Sequence, residues 1–157
     1  MATEFTHLDD AGAARMVDVT GKLVSARSAT ASGRLRTSAE VVALLRGPGV
    51  AKGDALAVAR VAAILAAKKT PDLIPLCHPV AVHGVEVELV VVDDGVRIVV
   101  TVRTADRTGV EMEALTAVAG AGLALIDMVK AVDRTASLTD VQVEAKDGGR
   151  SGAWRRE

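Results

Sequence analysis

The stretch from Thr108 to Arg134 constrains this chain most, because between Ala114 and Ile126 it carries thirteen residues with no charge and only Thr116 polar. Glu111 and Glu113 precede the run, where carboxylates suit the positive end of a helix dipole, and Thr108 stands where a cap is expected. A helix apolar on all sides is expected to be buried on all sides, as a core helix or one shared between subunits. Thirteen residues are too few to cross a bilayer, which needs roughly 20. Its charged residues lie in register: Glu113, Thr116, Gly120, Leu123, Asp127, Lys130 and Arg134 step by three and four along one stripe that is small and apolar in its middle. At about 1.5 Å per residue, Glu113 and Asp127 stand about 21 Å apart, too far for one small-molecule site built from one copy.

A core around such a helix has few large side chains to use. Half of the 157 residues are hydrophobic, yet there is one Trp, one Phe and no Tyr, so Ala, Val, Leu and Ile must fill it. One domain spanning residues 1–157 follows from the length, with 1–15 and 147–157 expected to be flexible. Nineteen basic against twenty acidic residues leave a net charge of −1, which argues against nucleic acid or a membrane surface as partner. The single cysteine, Cys77, forbids an intrachain disulfide and fits a reducing compartment. Met1 to Asp10 lacks the basic-then-apolar order of a signal peptide, so a cytoplasmic location is expected.

Taken along the chain, Met16 to Val19 is a short strand-like piece, and Ser25 to Leu35 reads as a weak strand at an edge. Thr37 and Glu40 form a capping box opening a helix over Ser38 to Arg46, which Gly47-Pro48-Gly49 ends. Asp54 caps a second helix that stops near Lys69, ahead of Pro71. Thr70 to Pro79 holds three prolines, which exclude helix and central strand and leave a rigid loop with Cys77 and His78 at its tip. Val85, Val87 and Leu89 alternate with Glu86 and Glu88, and Val96, Ile98, Val100 and Val102 alternate with Arg97, Thr101 and Arg103. Asp94-Gly95 between them marks a hairpin. A last strand runs from Leu138 to Lys146, with Val141, Val143 and Ala145 inward. The order is strand, two helices, two strands, helix, strand. It predicts an α+β fold of ferredoxin-like type, an antiparallel sheet with helices packed on one face.

The residues that can carry chemistry are few. Lys52 precedes a helix N-terminus, a place that favours anions. Cys77 and His78 are neighbours, but the chain offers too few ligands beside them for a convincing zinc site, and no metal is expected. Asp127 and Lys130 face the same way, and partial burial there would move both toward acid–base work near neutral pH. Lys146 and Arg150 lie in a glycine-rich tail that can wrap a phosphate.

These segments occur in one recognisable order: Met16–Val19, Lys52–Ala55, Asp72–Pro79 (D-L-I-P-L-C-H-P), Gly109–Thr116 (G-V-E-M-E-A-L-T), Asp127–Asp133 and Lys146–Gly152. In them the chain, from Thr6 onwards, resembles the molybdenum cofactor biosynthesis protein C family, the cyclic pyranopterin monophosphate synthases. The resemblance implies a lyase that rearranges 3′,8-cyclised dihydro-GTP to cyclic pyranopterin monophosphate and releases pyrophosphate. It implies Asp127 as acid/base with Lys52 and Lys130 as its partners. It also implies Leu76, Cys77, His78, Glu111, Met112 and Glu113 around the substrate, with Arg27 and Lys146 near its triphosphate or pterin. No tightly bound cofactor is implied, although the triphosphate can bring a Mg²⁺ ion. A homohexamer built as a trimer of dimers is implied, and the helix's small residues Ala117, Gly120, Ala121 and Ala124 would let the long helices of two copies approach. The alternative is a non-catalytic oligomeric module that binds a phosphorylated metabolite on the same scaffold. A cysteine hydrolase centred on Cys77 is a third reading.

Overall fold

A computed structural model describes residues 7–157. Residues 1–6, part of the stretch read as lacking a signal peptide, lie outside the described residues.

Nine elements follow in order: β1 (Ser25–Arg36), α1 (Ala39–Arg46), α2 (Ala55–Lys68), α3 (Thr70–Leu73), β2 (Gly84–Val92), β3 (Gly95–Asp106), α4 (Glu111–Val129), β4 (Ser137–Asp147) and β5 (Trp154–Arg155). The strands form one antiparallel sheet in the order β2-β3-β1-β4-β5. Its first four strands have the ferredoxin-like arrangement, and α1, α2 and α4 cover one face. Alternation does the sorting: Ala29, Ala31 and Leu35 of β1 and Val96, Ile98, Val100 and Val102 of β3 point to the helices and are fully buried or nearly so. The opposite face carries the expected charge rows, with Arg103 bonded to Glu86 and Arg97 to Glu88.

The strand over Ser25–Arg36 is not an edge strand. It lies at the centre of the sheet, between β3 and β4. Its inward residues are small because α4 passes directly over them. A Cβ placed on Gly33 would come within 2.5 Å of Val118 Cγ1. Low apolar bulk marks close approach here, not exposure.

The long helix differs from its expectation in three ways. It begins at Glu111, and its N-cap is Val110 without any side-chain bond, so Thr108 does not cap it. Its inner face is buried, but Leu123 remains 64% exposed and Met112 36%. Val58, Val61 and Leu65 of α2 are also exposed, so the outer surfaces of α2 and α4 carry an open apolar stripe. The small residues of α4 serve packing within the chain. Gly120 faces Ala62 and Ala66 of α2, Gly122 makes room for Leu138 of β4, and Ala117 and Ala121 are fully buried. Gly120→Ala puts a Cβ 2.6 Å from that of Ala66. It is expected to lower stability by about 1–3 kcal/mol in urea unfolding, because two helices must part to admit it.

Smaller corrections have local causes. Met16–Val19 is not a strand. Ser38, not Thr37, caps α1, accepting from the Val41 N–H. Asp54 caps α2 as expected, accepting from the Ala57 N–H at 2.9 Å. Thr70–Leu73 is a one-turn helix despite its proline, because Pro71 sits in the first turn, where a backbone N–H has no partner to lose. The β2–β3 turn falls on Asp93-Asp94, one residue earlier than expected, since Gly95 already pairs with Val92. On β4, Val141 is exposed and Ala145 is buried. The glycine-rich tail turns and returns as β5, paired with Ala145 and Lys146.

Thr37 is occupied elsewhere. Its hydroxyl donates to Oδ2 of Asp133 at 2.8 Å, as does the Ser38 N–H, while Oδ1 accepts from the N–H and hydroxyl of Thr135. These donors, the Thr135 and Thr37 hydroxyls foremost, push the Asp133 carboxyl down to about 2. The folded carboxyl therefore titrates below the unfolded one. Its contribution to stability is complete above about pH 4 and is lost as pH falls toward 2. Acid unfolding followed by circular dichroism is expected to show that loss in the native chain, and Asp133→Asn is expected to flatten it.

Candidate active site

The residues singled out in the sequence assemble into two groups at opposite ends of α4. At its C-terminal end, Lys52 and Lys130 clasp Asp127. Lys130 Nζ lies 2.6 Å from Oδ1, and Lys52 Nζ lies 3.2 Å from Oδ2 and 2.6 Å from the Asp127 carbonyl. Lys130 is the C-cap residue of α4, one turn beyond Asp127. Lys52 arrives from a tight turn closed by the Gly53 N–H bonding to the Val50 carbonyl, with Val50 seated in the core. Gly53 has φ +111°, which a residue with a Cβ rarely adopts, and so the turn needs glycine there.

The partial burial expected for this group is absent from the single chain. The Asp127 side chain is 58% exposed. With the ammonium groups of Lys130 and then Lys52 bonded to it, its carboxyl is held below the usual carboxylate range. It is a fixed anion between two cations.

The N-terminal end of α4 opens on a cleft of about 580 Å³. Leu76, Cys77, His78, Glu111, Met112, Glu113 and Lys146 all line it, so the proline-rich loop and the start of the helix meet as expected. Lys146 Nζ bonds Ser151 Oγ at 2.8 Å and stands 3.5 Å from Glu111. His78 Nε2 lies 2.7 Å from the Val17 carbonyl. A carbonyl can only accept, so Nε2 carries the proton and Nδ1 is left for other partners.

Glu113 is the chemical surprise. It is 3% exposed, and burial, reinforced by the charge of Glu111, pushes its carboxyl above the usual range against the bond from its own backbone N–H. A raised affinity for protons suits Glu113 to proton exchange, alongside the role expected of Asp127. The signal was present: Glu113, Ala117 and Ala121 are spaced by four and share the buried side of the helix. Burial, and then the Glu113 charge, also pushes the Cys77 thiol up. A protonated thiol is a poor nucleophile, which weighs against a cysteine hydrolase.

Arg27 does not line this cleft. Its Nε donates to the Asp106 carbonyl, and it lines a neighbouring cavity with Ser25, Lys22 and Arg150. Lys22 and Arg150 line both spaces. The segment carrying His7, Val17, Val19 and Lys22 closes one side of the cleft. No periodicity marks it, and sequence reasoning had no means to place it. Among the described residues no three of His, Cys, Asp and Glu gather as a metal-holding group.

A cleft lined by Lys22, Lys146 and Arg150 beside a carboxyl whose proton affinity burial raises, with a lysine-clasped aspartate on the same helix, is the equipment of an acid–base enzyme for a small anionic substrate. The chain belongs to the MoaC family, which it matches over residues 16–149. It is 67% identical over 151 residues to a cyclic pyranopterin monophosphate synthase of Streptomyces avermitilis, covering 96% of this chain and 89% of that protein. With the protein of that name from a Nocardioides species it shares 65% over 154 residues, 96% of this chain and 94% of the relative. Cyclic pyranopterin monophosphate synthase 2 of Mycobacterium tuberculosis is 58% identical over 153 residues, 98% of this chain and 92% of its own length.

Proposed function

We propose that the chain is a molybdenum cofactor biosynthesis lyase that converts 3′,8-cyclised dihydro-GTP to cyclic pyranopterin monophosphate, with Asp127, Lys52 and Lys130 as its acid–base group. The observation that carries the reading is the aspartate clasped between two lysines; the names of the relatives in its family agree with it. The rearrangement needs several proton transfers and one displacement at phosphorus. A sugar hydroxyl oxygen forms the new bond to the α-phosphorus, the bond to the β-phosphate bridge breaks, and pyrophosphate leaves with the electron pair. Asp127 supplies a fixed negative acceptor, and the ammonium groups of Lys52 and Lys130 supply protons and positive charge. Glu113, which burial keeps protonated to higher pH, delivers or recovers a proton from the other wall. Lys146, Arg150 and His78 offset the charge of the phosphates, with Arg27 and Lys22 beside them. The chemistry has no redox step and calls for no resident cofactor; a Mg²⁺ ion escorting the triphosphate is compatible with it.

The working site is shared between two copies. Within one chain the two groups stand at opposite ends of a helix of 19 residues, and a pocket for one small molecule cannot span about 21 Å between Glu113 and Asp127. Two copies packed antiparallel across a two-fold axis bring Glu113 of one beside Asp127 and Lys130 of the other. The exposed stripe of Val58, Val61, Leu65 and Leu123 supports that contact, since monomers rarely leave such a surface open. Such pairs assemble further into a trimer of dimers, and the enzyme acts in the cytoplasm. Incubation with cyclised dihydro-GTP is expected to release pyrophosphate and to yield a pterin that fluoresces after oxidation. A folded sample that gives neither product refutes the reading.

A further inference from the structure

Asp133 lies outside the reacting group, yet it is the most completely bonded carboxylate among the described residues, with four donors on its two oxygens. We propose that Asp133 is a positioning residue that holds Lys52 in register with Asp127 and Lys130. The inference rests on the acid–base reading of those three residues.

Asp133 stands one turn past Lys130, and its own N–H bonds to the carbonyl of Val129, which is fully buried. Its position is therefore tied to the end of α4 that carries Asp127 and Lys130. Its Oδ2 holds Thr37 and Ser38, and Ser38 is the N-cap of α1. At eight residues α1 is a rod of about 12 Å, and its far end leads through Gly47–Gly53 into the turn that presents Lys52. Val41 of α1 and Val50 of that turn are both buried, so the arm from Ser38 to Lys52 is packed at both ends. One carboxylate thus joins the two pieces of chain whose tips must meet.

The four donors also explain why asparagine cannot fully substitute. An amide keeps one oxygen and replaces the other with a donor. Hydroxyls can rotate to accept from it, but either the Ser38 or the Thr135 backbone N–H is then left facing a donor. An amide turned with its oxygen toward Thr37 and Ser38 would keep the link to α1, so alanine, which removes both sides at once, is the substitution that tests the proposal.

The decisive readout is the titration of the Asp127 carboxyl carbon by ¹³C NMR in the full chain, measured beside steady-state kinetics. In Asp133→Ala the Asp127 pKa is expected to rise toward the ordinary carboxylate range as the Lys52 contact loosens. The kcat is expected to fall about 10- to 100-fold while KM changes little. Thr37→Val, which cuts one of the two bonds toward α1 and leaves that of the Ser38 N–H, is expected to move both in the same direction by less. Thr135→Val, which leaves the α1 side intact, is expected to lower the melting temperature without moving either. A folded Asp133→Ala chain with native Asp127 titration overturns the proposal, as does a fall in kcat without a change in that titration. If Asp133→Ala does not fold, a native titration in Thr37→Val overturns it equally. A native chain without turnover would refute the activity, while the titration would still decide the positioning.

Discussion

Replacing Asp127 by asparagine is expected to lower kcat by about 10²- to 10⁴-fold, with the fold intact and KM changed far less. The side chain is more than half exposed, so the substitution removes charge without opening a cavity. What remains is an amide between two ammonium groups. It can accept a hydrogen bond but cannot take a proton, and it no longer holds Lys52 and Lys130 by charge. An Asp127→Asn protein with undiminished turnover and a native melting curve would remove the residue from the mechanism. It would favour the binding-module alternative, for which the cluster is a surface ion pair. Such exposed pairs contribute little to stability, so a large kinetic effect with a small thermal one separates the two readings.

The second large effect is a recovery. Glu113→Gln and Asp127→Asn are each expected to be nearly inactive, and an equal mixture allowed to exchange subunits is expected to regain about a quarter of the native activity. Half of the random pairs are mixed. Each mixed pair has one site with both lesions and one with neither. Glu113 suits the experiment because glutamine keeps its shape in the buried wall while removing the proton that burial keeps in place. Activity no greater than the sum of the separate variants, in a sample shown by mass spectrometry to contain mixed pairs, would refute a site shared between copies. A site complete in one chain predicts no recovery at all.

Much of this molecule can be read from its chain because its signals are local. The Glu/Val alternation of β2, the Asp54 cap and the uncharged core of α4 each follow from spacings within a few residues. So do the ferredoxin-like order of elements and the meeting of the Cys77-His78 loop with Glu111 and Met112 once the family wording is recognised. Where reading failed, the deciding partner lay far along the chain. Residues 25–36 are poor in apolar bulk, and only the passage of α4 over them shows that they form the centre of the sheet. Gly120 and Ala121 look like an intersubunit seam until α2 and the sheet are seen to occupy them.

The same division runs through the site. Sequence alone names Lys52, Asp127 and Lys130, because the i, i+3 spacing and the helix-terminal lysine are visible in one dimension. Only the tertiary structure decides their ionisation. Asp127 emerges on the open surface between two cations, which lower its affinity for a proton, while Glu113 turns inward, where burial raises it. Two carboxylates fourteen residues apart on one helix have the same intrinsic affinity for a proton to within about half a unit. What separates them is solvent and neighbouring charge, and these depend on which face of the helix the rest of the fold covers.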